Sequence, residues 1–296
     1  MQETIVYQIL NHYTSARDLD TGFRVLDNSA NERPDWFEYW PMRKFLLNEP
    51  MDEDTFYGFV SPRFMSKTSL NSEMAGKFIA DAGSAADIIL LSPAIQNSAH
   101  YLNVFQHGEA NHPGLLDVAA QFLARINRPT NLRSLVTDSR NEVYSNYFVA
   151  KPRFWREWLS INEALFAIAE SSTDVLGAAL RAPTFYRGRV NVPMKIFVVE
   201  RMATWILATD KRFTACARDP FAVRSRVYKV PVAIVCDALK IAYQTDGGVG
   251  YRDAFFFVQG LRKFLNLQIR FANFLGLRAV RSHMRTFAAY WTKPGH

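Results

Sequence analysis

Residues 18–46, DLDTGFRVLDNSANERPDWFEYWPMRKFL, run through a short connector into residues 56–67, FYGFVSPRFMSK. Acids, amides, arginines and aromatic rings crowd here between recognisable elements, and segments of that kind carry the ligand sites of α/β folds. Working outward, apolar runs of strand length alternate with helical patterns through most of the first 210 residues. TIVYQIL (4–10) and TFYGFVSP (55–62) read as strands on either side of a helix over WFEYWPMRKFLL (36–47), bent or restarted at Pro41. A helix over 69–81 follows, capped by Asn71 or Ser72, then a buried strand in ADIILLSP (86–93). HPGLLDVAAQFLARI (112–126) reads as a helix with Pro113 in its first turn. VYSNYFVAK (143–151) reads as a strand and FWREWLSINEALFAIAE (154–170) as a helix. MKIFVV (194–199) then reads as a strand feeding the helix ERMATWILATD (200–210). Strands separated by helices predict an α/β fold with a mainly parallel sheet flanked by helices on both faces.

With 296 residues, 49% of them hydrophobic, the chain can bury a large core, which argues against disorder. Phe outnumbers His by 23 to 6, which points to packing before metal chemistry. MQETIVYQIL carries Glu3 where a secretory leader has basic residues, so no signal peptide is expected. No uncharged apolar run approaches the ~18 residues that span a bilayer. Cys216 and Cys236 have neither zinc-ligand spacing nor a disulfide framework around them, so reduced thiols in a cytoplasmic protein are expected. Past about Arg218 the pattern turns helical over 231–243 and 253–292, with Gly247, Gly248 and Gly250 read as turn glycines between the two stretches. That turn lacks the Lys-Ser/Thr of a phosphate loop, and no GxGxxG fingerprint occurs. After Asp253 come Arg262, Lys263, Arg270, Arg278, Arg281, Arg285 and Lys293 with no acid, which equals the whole net charge of +7. Such a basic, aromatic tail suits an anionic membrane surface, a nucleic acid or an acidic partner, and equally a helix pair with a solvated basic face. The expected division is an α/β domain over 1–215 and a basic helical extension over 216–296.

The run DNSANERPDWFEYWPMRKFL, then YGFVSPRF and KT, ADIILLSP, HGEANHPG and FVVERMATWIL, resembles bacterial glycosyltransferases of capsular and exopolysaccharide gene clusters in the order of its motifs. The resemblance covers about residues 4–210. It implies a GT-A-like fold, a single Rossmann-like unit, and transfer of a sugar from a nucleotide-activated donor. The implied acceptor is a surface polysaccharide or a lipid-linked oligosaccharide. The enzyme would be cytoplasmic and would meet the inner face of the membrane through residues 254–296. No specific nucleic-acid partner is expected, since neither a helix-turn-helix nor a ribonucleoprotein signature occurs. A nucleic-acid-binding module or a non-catalytic scaffold using the basic tail stands as the alternative.

Sugar transfer from a nucleotide requires neutralisation of a diphosphate leaving group and, with inversion, a base for the acceptor hydroxyl. Asp18-Leu19-Asp20, after the first strand, is the candidate pair for Mn²⁺ or Mg²⁺, whereas Asp52-Glu53-Asp54 precedes its strand and falls on the wrong side of the sheet. A metal-independent route would rest on cations near strand exits, Arg24, Arg33 and Arg43 among them, with Arg63 and Lys67 the favoured pair. Asn28, Asn31, Glu38 and Arg201 complete the expected donor-binding set. Trp36, Tyr39 and Trp40 share a helical face that either fills the core or stacks on a base or sugar. NVFQHGEANHPG (103–114) reads as a loop with His107 and Glu109 as catalytic candidates and Asn111 and His112 as acceptor contacts, or as a plain connector. Its HxExxH spacing is not the HExxH of a helical zinc site. Glu200, at the expected strand-to-helix switch, is the leading general base, its alternative being a helix-start acid that complements the dipole or pairs with Arg201.

Overall fold

The computed structural model describes residues 3–83, 85–92, 98–186, 189–219, 221 and 230–274. The chain divides into two compact units, one of residues 1–93 with 103–218 and one of residues 94–102 with 219–296. In chain order the first unit builds β1 (Thr4–Asn11), β2 (Arg24–Asn28), α1 (Tyr39–Asn48), β3 (Phe56–Val60), α2 (Phe64–Thr68), α3 (Ser72–Ala82) and β4 (Ile88–Leu90). It continues with α4 (Val104–Asn111), α5 (Leu115–Arg125), β5 (Phe148–Ala150), α6 (Pro152–Ser171) and α7 (Val175–Arg181). The hairpin β6 (Pro183–Tyr186) and β7 (Arg189–Pro193), α8 (Met194–Thr209) and β8 (Ala215–Ala217) complete it.

Six strands form one sheet in the order β2-β1-β3-β5-β4-β8. β1 runs parallel to β2 and β3, and β4 parallel to β8, while β5 lies antiparallel between β3 and β4. The fold is therefore α/β with a mainly parallel, mixed sheet. Side chains alternate across it and find helices on both faces. Tyr57, Phe59, Phe148 and Ala150 join the larger core with Phe105, Phe122, Trp155 and Trp158. Phe56, Val60 and Val149 join the smaller one with Phe23, Phe64, Leu70 and Ile79. Burying one such large side chain contributes about 1.5–3 kcal/mol. Trp155 also ties α6 to the sheet, donating from Nε1 to the Tyr57 carbonyl at 2.9 Å and stacking on Phe148 at 4.5 Å between centroids.

Asn71 caps α3 by accepting from the Met74 amide, as its position suggested. Several expectations change. Residues 194–199 form the first turns of α8 and not a strand. This helix is buried almost all round, with Phe197, Val198, Met202 and Ile206 inside, so its sequence lacks the polar stripe that separates a helix from a core strand. Residues 104–111 are the helix α4, capped by Asn103, which accepts from the Phe105 and Gln106 amides. The strand expected over 143–151 shortens to Phe148–Ala150, because Ser145 and Asn146 take left-handed backbone at φ 59° and 52°. α5 begins at Leu115, just beyond Pro113.

In the second unit α9 (Val230–Asp246) lies against α10 (Val249–Phe274). Gly247 supplies the turn at φ 66°, whereas Gly250 belongs to α10. Cys236 and Phe255 are buried there, Lys240 Nζ donates to the Tyr101 carbonyl, and Gln259 Nε2 to the His100 carbonyl. α10 leaves Phe256, Phe257, Leu261 and Phe264 exposed. Arg278, Arg281, Arg285 and Lys293 of the basic tail lie outside the described residues. Among the described residues no helix is long and apolar enough to cross a membrane.

Candidate functional site

The parallel strands β1 and β3 end on a small recess whose enclosed space is about 20 Å³. This is the carboxyl edge of the sheet, where open α/β folds hold their ligands. Ile9, Met42, Phe59, Ile196 and Val199 form its apolar wall, and Glu38, Ser61, Ser145, Asn146 and Glu200 its polar groups. Helical spacing explains one side, since Ile196, Val199 and Glu200 stand at i, i+3 and i+4 on α8. Chain turns explain the others. Ser61 leaves the end of β3, Ser145 and Asn146 lead toward β5, and Glu38 precedes α1. Among the described residues six non-glycine residues have positive φ, and Phe37, Ser145 and Asn146 of these line this recess. Such strain costs about 1–3 kcal/mol per residue and clusters at functional sites.

The two carboxyls are perturbed in the same direction. Burial pushes Glu38 up, and the nearby Glu200 adds to this, against the pull of Lys67 and Arg63. Burial likewise pushes Glu200 up, against Arg201 and Lys67. About a third of the Glu200 side chain (33%) reaches solvent, so the carboxyl sits between dry walls with a path for proton exchange. Lys67 Nζ donates to Ser145 Oγ at 3.0 Å and lies 5.2 Å from the Tyr147 ring centre. Tyr147 and Ser61 share a hydrogen bond between hydroxyls. In both groups burial is the leading cause, and it favours the protonated carboxyl.

Of the residues singled out in the sequence, Glu38 and Glu200 meet in the recess and Lys67 reaches its Ser145. Arg63 stands exposed just past Ser61. Glu200 arrives there from the second turn of a helix and not from a strand end. Asn28, at the end of β2, donates to Asn11 Oδ1 at 3.4 Å, and Asn31 makes a left-handed turn at φ 46°. Arg201 is no donor-binding group in this arrangement. It is buried and clamps α8 to α4, donating to the Val104 and Phe197 carbonyls. Gly108 permits that approach, since a Cβ there would fall 2.5 Å from Arg201 Nε.

The segment 103–114 is likewise committed to structure. Glu109 accepts from the Gly114 and Leu116 amides, both at 2.9 Å, and so caps α5. His112 is buried and stacks on Phe197 at 3.6 Å. Asn111 donates to the His107 carbonyl, and His107 meets Tyr144 edge-on at 5.6 Å. Trp36, Tyr39 and Trp40 gather on Phe166, which makes them packing residues. Asp18 is exposed, while Asp20 accepts from Gly22 N, Ser72 N and Ser72 Oγ. Burial pushes Asp20 up, but these hydrogen bonds outweigh it and hold the carboxyl below its ordinary value. That bonding does not fit a metal pair. Among the described residues no group of three or more His, Cys, Asp or Glu gathers as a metal site.

Phe37, Ser145 and Asn146 escaped sequence reading. Asn146 sat inside an apparent strand, and the adjacent Ser-Asn was the available sign of a turn. The chain matches no family model, no curated protein and no solved structure.

Proposed function

We propose that this chain is a GT-A-like glycosyltransferase that moves a sugar from a nucleotide-activated donor to a hydroxyl of a surface polysaccharide or lipid-linked oligosaccharide. The observation that carries the reading is the shared recess of Glu38 and Glu200 at the carboxyl ends of parallel strands. Such a pair suits proton removal from an acceptor hydroxyl, with Glu200 as base and Glu38 as its protonated neighbour. Its raised proton affinity brings a carboxylate closer to the working pH of a base. The leaving diphosphate would meet Arg63 and Lys67, the cations beside the exit of β3. Asp20 is engaged by Ser72 and Gly22, so no step is routed through a metal ion.

Residence at the cytoplasmic face of a membrane belongs to the same proposal. Exposed Phe256, Phe257, Leu261 and Phe264 accompany a stretch with seven basic residues and no acid after Asp253, the composition of an interfacial segment.

Calorimetry of the full chain with UDP-, GDP-, dTDP- and CMP-linked sugars, with and without Mn²⁺, tests the reading without knowledge of the acceptor. Micromolar binding of one donor, followed by loss of sugar transfer in Glu200→Gln, is the expected result. Absence of binding by all of them would turn the assignment toward a scaffold, or toward nucleic acid if salt-sensitive RNA or DNA binding appeared instead.

A further inference from the structure

Glu38 and Glu200 line a recess whose enclosed space of about 20 Å³ is filled by a single water, which needs ~10–15 Å³. Among the described residues no donor hydrogen-bonds to either carboxyl, and the closest ion-pair contact, Arg201 Nη1 to Glu200 Oε2, is 3.9 Å. Enclosed carboxyl oxygens are rarely left without a partner, and the partner that fits here is water. Besides the carboxyls, the lining offers two hydroxyls, Ser61 and Ser145. Ser61 is already engaged, sharing a hydrogen bond with the Tyr147 hydroxyl and accepting from the Arg63 amide at 3.3 Å. Ser145 Oγ accepts from Lys67 Nζ at 3.0 Å, which leaves its own O–H to donate into the recess. A costly left-handed backbone at φ 59° holds Ser145 in that place. Lys67 is also the cation common to the two carboxyls, pulling each down against burial. Arg63 acts on Glu38 and Arg201 on Glu200, while Tyr147, coupled to both, shares its hydroxyl with Ser61.

We propose that the recess holds one ordered water bonded to Glu38, Glu200 and Ser145, completing a chain from Lys67 through Ser145 to the carboxyl pair, across which Glu38 and Glu200 exchange a proton. As the Glu38 carboxyl gives its proton to the water oxygen, the water gives one of its own to the Glu200 carboxylate. Water is regenerated, and the negative charge passes from Glu200 to Glu38. Lys67 and Ser145 are positioning residues that fix the water and favour the singly ionised pair. The water and its chain stand whether or not a nucleotide sugar binds.

The test uses the full chain with isotope-labelled glutamate, whose carboxyl signals report each titration by NMR, with Glu38→Gln and Glu200→Gln assigning the two. In wild type both signals should move in two shared steps. Lys67→Met should raise the Glu200 midpoint by about one pH unit, a tenfold gain in proton affinity. Ser145→Gly, which tolerates the left-handed backbone, should raise it as far, and the double variant should go no further. Val199→Ile places a methyl group in the water's space and should raise the midpoint without altering a polar group. A high-resolution crystal structure should show one water bonded to both carboxyls in wild type and none in Val199→Ile. Should Ser145→Gly fail to fold, the crystal structure and Val199→Ile carry the test. The chain is refuted if Ser145→Gly leaves the midpoint in place while Lys67→Met moves it, the mark of a cation acting through space, or if the two shifts add. A wild-type crystal structure with no water between the carboxyls refutes it outright, and leaves the donor-binding test of the transferase untouched.

Discussion

Replacing Glu109 separates a helix cap from a catalytic base. Its two carboxylate oxygens each accept a backbone amide, Gly114 at 2.9 Å and Leu116 at 2.9 Å, where α5 begins. Gly114 is the N-cap residue itself, with φ 92° and no side chain to offer, so Glu109 supplies the cap from the preceding helix. Losing such a cap costs about 0.5–2 kcal/mol, and removing the negative charge from the positive end of a helix dipole adds about 0.3–1 kcal/mol. Glu109→Ala should therefore destabilise the chain by about 1–3 kcal/mol, a fall of roughly 2–12 °C in Tm for a unit of this size. Glu109→Gln keeps one acceptor and should lose about half as much. Thermal and urea melts followed by circular dichroism read the stability, and donor binding and transfer per folded molecule read the site. Binding and transfer should survive, because Glu109 is absent from the recess lining. A variant that melts like wild type but has lost turnover would refute the cap argument and return Glu109 to the chemistry.

Glu38→Gln and Glu200→Gln should stabilise the chain in mild base and leave it unchanged in acid. Both carboxyls hold protons more tightly when folded, so their contribution is complete below the ordinary Glu value of 4.5 and is lost as pH rises through the folded values. Urea midpoints displaced equally at about pH 4 and about pH 8 would contradict that sign. Asp35→Asn should cost more than Lys195→Met. The first leaves a 3% exposed ammonium with Glu170 at 3.6 Å, whereas the second leaves two partly solvated carboxylates that still hold Arg33. About 3 kcal/mol against about 1 kcal/mol is expected from equilibrium unfolding, and the reverse order would show that the ammonium is solvated in solution. On the second unit, Phe257→Glu with Phe264→Glu should abolish flotation with phosphatidylserine vesicles at low salt. Undiminished flotation of that variant, or none by wild type, would remove the membrane from the proposal.

How far the sequence could be read depended on what surrounds each segment. β1 and β3 were legible because short apolar runs there are bounded by turn-forming residues, and α3 because Asn71 stands where a cap belongs. α8 was not, since a helix covered by α4, α5, α6 and α7 carries apolar residues on nearly every face and reads like a core strand. The antiparallel placement of β5 depends on pairing with β3 and β4, which three residues of local sequence do not encode. Glu38 and Glu200 were both chosen from the sequence, yet their meeting was not visible, because 161 intervening residues leave no trace of the approach of α8 to α1.

The misreading of α8 bears directly on the chemistry. A Glu200 at a strand end would lie beside the free amides of a helix start, which favour the ionised carboxylate. In the second turn those amides are spent on backbone hydrogen bonds, and burial beside Glu38 pushes the carboxyl the other way. Charges elsewhere in the first unit show the contrast. Burial raises Asp35 and Glu170 too, but hydrogen bonds from Arg33, with Lys195 on Asp35 and Trp36 on Glu170, outweigh it and hold both below their ordinary values. Those two acids stabilise the fold above their ordinary values and lose that contribution as pH falls, the opposite of the recess pair. One unit thus holds two carboxyl pairs with opposite linkage, and in the pair that lines the recess at the carboxyl edge of the sheet Glu200 meets Arg201 at 3.9 Å, whereas Asp35 and Glu170 are hydrogen-bonded to Arg33. That asymmetry, a network hydrogen-bonded to its cations and a second, half-buried pair whose desolvation outweighs its more distant cations, is the physical ground for proposing the chemistry at Glu38 and Glu200.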